Sequence, residues 1–153
     1  MCRNSRLISM MEDEIIFQKL GRFCRYRERC HIEVKLKLAA LKVYGARQEE
    51  MVARLIEEGL LNEQRYALAY ASGKFRINRW GKYKIKQALQ QKSISSYCIQ
   101  KALSDIDMGE YWDVMEQVLD KRKREHPEDS FFELTAFMQG RGFELEMIKE
   151  LLS

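Results

Sequence analysis

Residues 85–103, running IKQALQQKSISSYCIQKAL from Ile85 to Leu103, carry the architecture of this chain, because their pattern returns 49 residues later. Ile85 falls on Leu134, Leu89 on Met138, Lys92 on Arg141, Ser93 on Gly142, Ile94 on Phe143, Ile99 on Ile148 and Leu103 on Leu152. Apolar residues three and four apart on either side of a short polar turn read as two amphipathic helices. A shift of 48 brings an earlier pair onto the same frame: Leu41 on Leu89, Gly45 on Ser93, Met51 on Ile99 and Leu55 on Leu103. One longer helix precedes each pair. The expected fold is therefore all-α, three tandem three-helix repeats forming an elongated, curved array, with modules at 12–59, 60–105 and 108–153.

The flanking helices follow from the same periodicity. Ile16, Leu20, Phe23 and Cys24 mark a first helix over about residues 12–27. Val34, Leu38 and Leu41 mark the second, with Gly45 as its terminating glycine, and the third stops at Gly59. Asn62 caps a fourth, whose inner face reads as Tyr66, Ala69, Tyr70, Gly73 and Ile77. Tyr111, Trp112, Met115, Val118 and Leu119 face inward from a long helix over about 110–125. Ser130 and Glu133 have capping-box spacing.

Composition agrees. The 153 residues include one proline and eight glycines, too few punctuators for an all-β chain. Hydrophobic residues are 46% and charged residues 33%, which excludes a disordered tail. No apolar run reaches a membrane span, and the stretch after Arg3 and Arg6 is too short for a signal peptide. Four irregularly spaced cysteines (Cys2, Cys24, Cys30, Cys98) do not make a disulfide framework, so a cytoplasmic protein with reduced thiols is expected. A monomer is expected too.

The net charge of +4 conceals an asymmetry. Residues 64–104 contain no carboxylate but nine cations, leaving −5 for the rest of the chain. The densest part runs Lys74-Phe75-Arg76-Ile77-Asn78-Arg79-Trp80-Gly81-Lys82-Tyr83-Lys84-Ile85-Lys86. Solvated helix faces normally mix signs. A stretch of one sign is an electrostatic footprint for a polyanion or an acidic protein groove. The charges, rather than the rings between them, are the stronger signal. Tyr66 and Tyr70 fall on the apolar stripe, and Trp80-Gly81 reads as a packed inter-helix turn.

Catalytic and metal constellations are absent from the sequence. Cys24-x5-Cys30-His31 lacks zinc-site spacing and a second ligand pair. Asp105-Ile106-Asp107-Met108-Gly109 fits a helix-helix turn better than a calcium loop. No phosphate loop, nucleophile elbow or His-Glu-x-x-His motif occurs. Neither catalytic residues, metal nor cofactor is expected.

The segment Gly59 to Ala67, then Ala69-Tyr70, Arg76 to Trp80-Gly81, Lys84-Ile85, Ala88-Leu89, Lys92 and Ile94 resembles the RecX family signature. The resemblance continues through Phe137, Arg141-Gly142-Phe143 and Ile148, and more loosely through Arg25 to Lys37. Tyr66, Tyr70, Trp80, Gly81, Arg141, Gly142 and Phe143 are its motif residues. It departs at Ser93, which stands where the third repeat has Gly142, so a differently shaped turn is expected there. The resemblance implies three three-helix repeats and a non-enzymatic regulator of the RecA recombinase. Such a regulator binds the RecA–DNA filament and restrains its ATPase, strand exchange and co-protease activity. RecA, with single- or double-stranded DNA beside it, is the implied partner. From charge, Lys74, Arg76, Arg79, Lys82, Lys84 and Lys86 are the expected contacts. The alternative from another class is a helical module that binds DNA directly.

Overall fold

The computed structural model describes residues 2–153, with Cys2 described by its backbone alone. Among them are nine α-helices and no strand: α1 (Cys2–Tyr26), α2 (His31–Ala40), α3 (Gly45–Glu57), α4 (Glu63–Arg76), α5 (Lys82–Gln91), α6 (Ser96–Ser104), α7 (Met108–Glu125), α8 (Phe131–Gly140) and α9 (Leu145–Leu152). Each long helix is followed by two shorter ones, giving three successive three-helix repeats. Two compact units result, one up to Tyr66 and one from Ala67 to Ser153.

Side-chain caps set several helix starts. Asn62 Oδ1 accepts from Arg65 N–H at 2.9 Å, and Asp107 Oδ2 accepts from Glu110 N–H at 2.9 Å. Asp107 is thus the N-cap of α7, and Asp105 to Asp107 form the turn between α6 and α7, the helix-helix turn expected there from the sequence. Ser130 and Glu133 complete the capping box, with Glu133 Oε2 2.7 Å from Ser130 N–H. Each bond satisfies an amide that the first helical turn leaves orphaned.

The first unit packs around Phe17, Leu20, Val34, Leu38, Val43 and Leu55. Arg47 on Asp13 and Arg54 on Glu14 tie α3 to α1 across its rim. Cys30 Sγ donates to Glu33 Oε1 at 3.4 Å, while the Cys2 side chain lies outside the described residues. In the second unit a column of Phe75, Tyr111 and Phe143 runs through the core, with successive ring centroids 5.6 Å apart. Such pairs add to the burial that the rings already contribute.

One turn occurs three times, and it corrects the register of the first repeat. After α2, α5 and α8 the chain passes through a residue in the left-handed region: Lys42 (φ 63), Ser93 (φ 58) and Gly142 (φ 96). The next N–H returns to a carbonyl five residues back in each case, Val43 to Leu38 at 2.9 Å, Ile94 to Leu89 at 3.2 Å and Phe143 to Met138 at 3.2 Å. This is a Schellman closure. The first repeat therefore superposes on the second at a shift of 51, not 48, with Lys42 rather than Gly45 in the terminating role. Gly45 instead opens α3. Ser93 does not reshape its turn; it adopts the conformation that Gly142 takes more cheaply.

Two further expectations are corrected. The first helix begins at Cys2, not near residue 12. The inner face of α4 is Tyr66, Ala67, Ala71 and Phe75, whereas Ala69 is exposed and Ile77 is 82% exposed. Helical spacing was carried past Arg76, where α4 ends, so Ile77 falls outside the stripe.

Candidate functional site

The second unit brings the two halves of the sequence motif into contact. The turn between α4 and α5 lies on the turn between α8 and α9. Gly81 N–H donates to the Arg141 carbonyl at 2.8 Å, and Tyr83 N–H donates to the Gly142 carbonyl at 2.9 Å. A β-carbon on Gly81 would collide with the backbone of Gly142 and Phe143. One on Gly142 would reach Lys84 N at 2.6 Å and Gly81 O at 3.0 Å. Arg141 clamps the arrangement, its Nη2 donating to the carbonyls of Asn78 at 2.7 Å and Arg79 at 3.2 Å. Behind it, Tyr111 Oη accepts from Lys82 N–H at 3.0 Å and donates to Glu144 at 2.9 Å. Burial holds the Tyr111 phenol well above its ordinary range, with the Glu144 carboxylate adding to the rise against the Lys82 N–H. The motif residues Gly81, Arg141, Gly142 and Phe143 are thus a lock between turns, and Tyr66 is core.

This lock positions a cationic face. Lys84 starts beside Gly142 and carries its Nζ to 4.6 Å from the Trp80 ring centroid. Lys74 reaches the same ring at 4.8 Å and the Tyr70 ring at 5.6 Å. Lys92 reaches Tyr70 at 5.7 Å. All four contacts fall within cation–π range. Two half-buried rings therefore hold three lysines together in a segment without a carboxylate. Burial alone raises the Tyr70 phenol above its ordinary value. The rings matter more here than charge counting assigned them, because they fix where the charges sit.

The six cations expected to act together do not converge. Lys74 and Lys84 meet at Trp80. Arg76 pairs with Glu110 at 3.3 Å, and Lys82 Nζ lies 5.3 Å from the Tyr111 ring centroid, so both belong to the start of α7. Lys86 stands apart, beside Gln90 and Ser96 on the α5–α6 side. Arg79, in the left-handed region at φ 55, borders Lys121, Lys123 and Arg124 of α7. Counting charge by segment missed those α7 cations, because Asp113, Glu116, Asp120 and Glu125 share the helix and mask them. Lys92 joins the Tyr70 ring through tertiary packing.

Among the described residues one surface group has metal-ligand chemistry, His126 with Glu128 and Asp129. Arg122 holds Asp129 at 2.6 Å and already neutralises it. No helix among the described residues is long and apolar enough to cross a membrane.

Residues 62–103 match the model of the second three-helix domain of RecX. The chain is 29% identical over 147 residues to Regulatory protein RecX of Chlorobium phaeobacteroides (strain BS1), covering 92% of this chain and 93% of that one. It is 33% identical over 132 residues to Regulatory protein RecX of Pseudomonas putida (strain W619), covering 83% and 82%. The crystal structure of RecX from Lactobacillus salivarius shares its fold, with a TM-score of 0.84 at 20% identity over 94% of this chain and 96% of that one. With the repeats, the interlocked turns and near full-length similarity in agreement, this chain belongs to the RecX family of regulatory proteins.

Proposed function

We propose that this chain binds the RecA–DNA filament and limits its extension or promotes its disassembly. It would thereby restrain recombinase, ATPase and co-protease activity in DNA repair and the SOS response. Family membership supports the reading, and one observation carries it: the face on which Tyr70 and Trp80 hold Lys74, Lys84 and Lys92 together. Cations already oriented by rings lose little freedom on binding, so more of their attraction appears as affinity. Such a face suits a surface that mixes acidic protein and phosphate. The chain acts without cofactor or catalysis, as a cytoplasmic monomer built of modules 12–59, 60–105 and 108–153. Lys74 and Lys84 lead the contact, and Arg76, Arg79, Lys82 and Lys86 would meet the filament from the separate places they hold around the second unit. To alter filament dynamics, it must prefer one filament state over another.

A second reading is direct binding to nucleic acid, favoured by the pairing of exposed cations with rings on which bases can stack. Titrating the chain into RecA ATPase on single-stranded DNA, beside anisotropy on the same DNA without RecA, separates the two. Inhibition well below one molecule per RecA, where bare DNA stays unbound, is the expected result. Inhibition that tracks DNA occupancy would favour the second reading, and no inhibition of the cognate recombinase would defeat the first.

A further inference from the structure

The first unit holds a cavity that the sequence reading did not single out. Lys19, Arg22, Phe23 and Tyr26 recur three and four apart towards the end of α1, so they share one side of that helix. Arg29 follows in the loop, and Lys37 and Leu41 come from α2 and its C-cap. Together they line an open cavity of 540 Å³ with four cations and no carboxylate.

Phe23 organises two of those cations. The Arg29 guanidinium lies 3.7 Å from its ring centroid, and Lys37 Nζ lies 5.6 Å from it. Arg29 is buried, and its Nε donates to the Phe23 carbonyl at 2.9 Å, an acceptor that the last turn of α1 leaves open. The carboxylates next to this loop are engaged, Glu28 with Arg65 at 2.5 Å and Glu33 with Arg27 at 2.8 Å. Glu33 also lies 3.5 Å from Arg29. Lys19, Arg22 and Lys37 are exposed and have no ion pair among the described residues. Helix dipoles favour cations at the ends of α1 and α2. They do not bring both ends to one cavity or keep acidic residues out of it.

We infer that this cavity binds a nucleoside polyphosphate. Its base would lie against Tyr26 and Leu41, and its phosphates would meet Lys19, Arg22 and Lys37 beside the fixed Arg29 guanidinium. The volume lies within the range of about 300–1,000 Å³ usual for small-ligand sites. Guanidinium forks and ammonium groups both suit phosphate oxygens. Tyr26 is 84% exposed, which gives a base a ring to stack on. An acidic peptide fits less well, because among the described residues no sheet edge is present to pair an extended backbone. The cavity lies in the first unit, whereas the filament reading rests on the Tyr70–Trp80 face of the second, so the two stand independently.

The test is anisotropy of N-methylanthraniloyl-ATP titrated with the full chain in EDTA, so that no metal ion shields the phosphates. Saturable binding by the parent is expected. R22Q/K37Q should bind at least roughly tenfold more weakly, since it removes two charged hydrogen-bond donors. K35Q/K149Q removes the same charge from exposed lysines elsewhere and should change affinity less than about threefold. Tyr26→Ala should weaken ATP by about fivefold or more while leaving competition by inorganic tripolyphosphate unchanged. All five positions are exposed, and circular dichroism melts should match the parent. No saturable binding by the parent would overturn the site, as would equal losses in the two charge variants. Tripolyphosphate that competes as well as ATP would remove the nucleoside from the proposal and overturn it. Displacement by oligothymidylate at lower nucleotide concentration than ATP would overturn it too, by giving the cavity to a nucleic-acid strand. No recombinase enters the experiment, so its failure leaves the filament reading to the ATPase titration.

Discussion

The backbones of Gly81 and Gly142 touch, although 61 positions separate them in the sequence. Around that contact lie two backbone hydrogen bonds, the Arg141 clamp and the Tyr111 hydroxyl. Gly81 does not have positive φ (φ −75), so its requirement is the space a β-carbon would fill. Gly81→Ala is expected to destabilise the chain by about 2–4 kcal/mol, the scale of a severe steric or strain defect. Gly73→Ala, in the interior of α4 with open space around it, should instead gain up to about 1 kcal/mol from helix propensity. Urea unfolding of both variants checks the pair.

Ser93 and Gly142 occupy the same left-handed position in successive repeats, and only glycine takes it without strain. Ser93→Gly is expected to stabilise by about 0.5–1 kcal/mol, after the entropy that glycine adds to the unfolded chain. Gly142→Ser is expected to destabilise by more, since its β-carbon also meets Lys84. Thermal melts of the two exchanges should shift in opposite directions.

Tyr111→Phe keeps the ring column but leaves the Lys82 N–H without its partner, at a cost of about 1–3 kcal/mol near neutral pH. The folded phenol titrates above its unfolded value of 10.0. Between those two values the folded state holds a proton that the unfolded state has released, so the hydroxyl's contribution falls as pH rises past 10. The difference between parent and variant should therefore be largest at neutral pH and shrink in alkali. Denaturant titrations at pH 7 and above pH 10 measure it.

Lys74→Gln/Lys84→Gln should weaken binding of whichever polyanion the Trp80 face meets, with a smaller dependence on salt. It should leave the melting temperature within a few degrees, because exposed cation–π contacts are worth about 0.5–1 kcal/mol each. Trp80 fluorescence, read in a Trp112→Phe background, should respond to ligand in the parent and much less in the variant.

Much of this fold was legible because it is local. Apolar spacing located the nine helices of the described residues, and Asn62 and Ser130 marked where two begin. The register of the first repeat was not legible, because Lys42 adopts a conformation that sequence reading assigns to glycine and so drew the match onto Gly45. Ile77 was misplaced for a similar reason: the period continues past Arg76, but the helix does not. Of the three lysines that the Tyr70 and Trp80 rings gather, charge singled out Lys74 and Lys84 and left out Lys92. Lys123 and Arg124 were hidden because Asp113, Glu116, Asp120 and Glu125 offset them along the same helix.

The sequence by itself determined the nine helices of the described residues, the Asn62 and Ser130 caps, the match of the second repeat to the third and the charge asymmetry, since each is read along the chain without knowing what folds against it. Tertiary structure decided that the Trp80-Gly81 turn rests on Arg141-Gly142. It also decided that Lys74, Lys84 and Lys92 gather on two rings, and that Arg79 joins α7 rather than the other five cations. Those outcomes depend on how two turns far apart in the chain approach within backbone contact, and no local spacing encodes that distance.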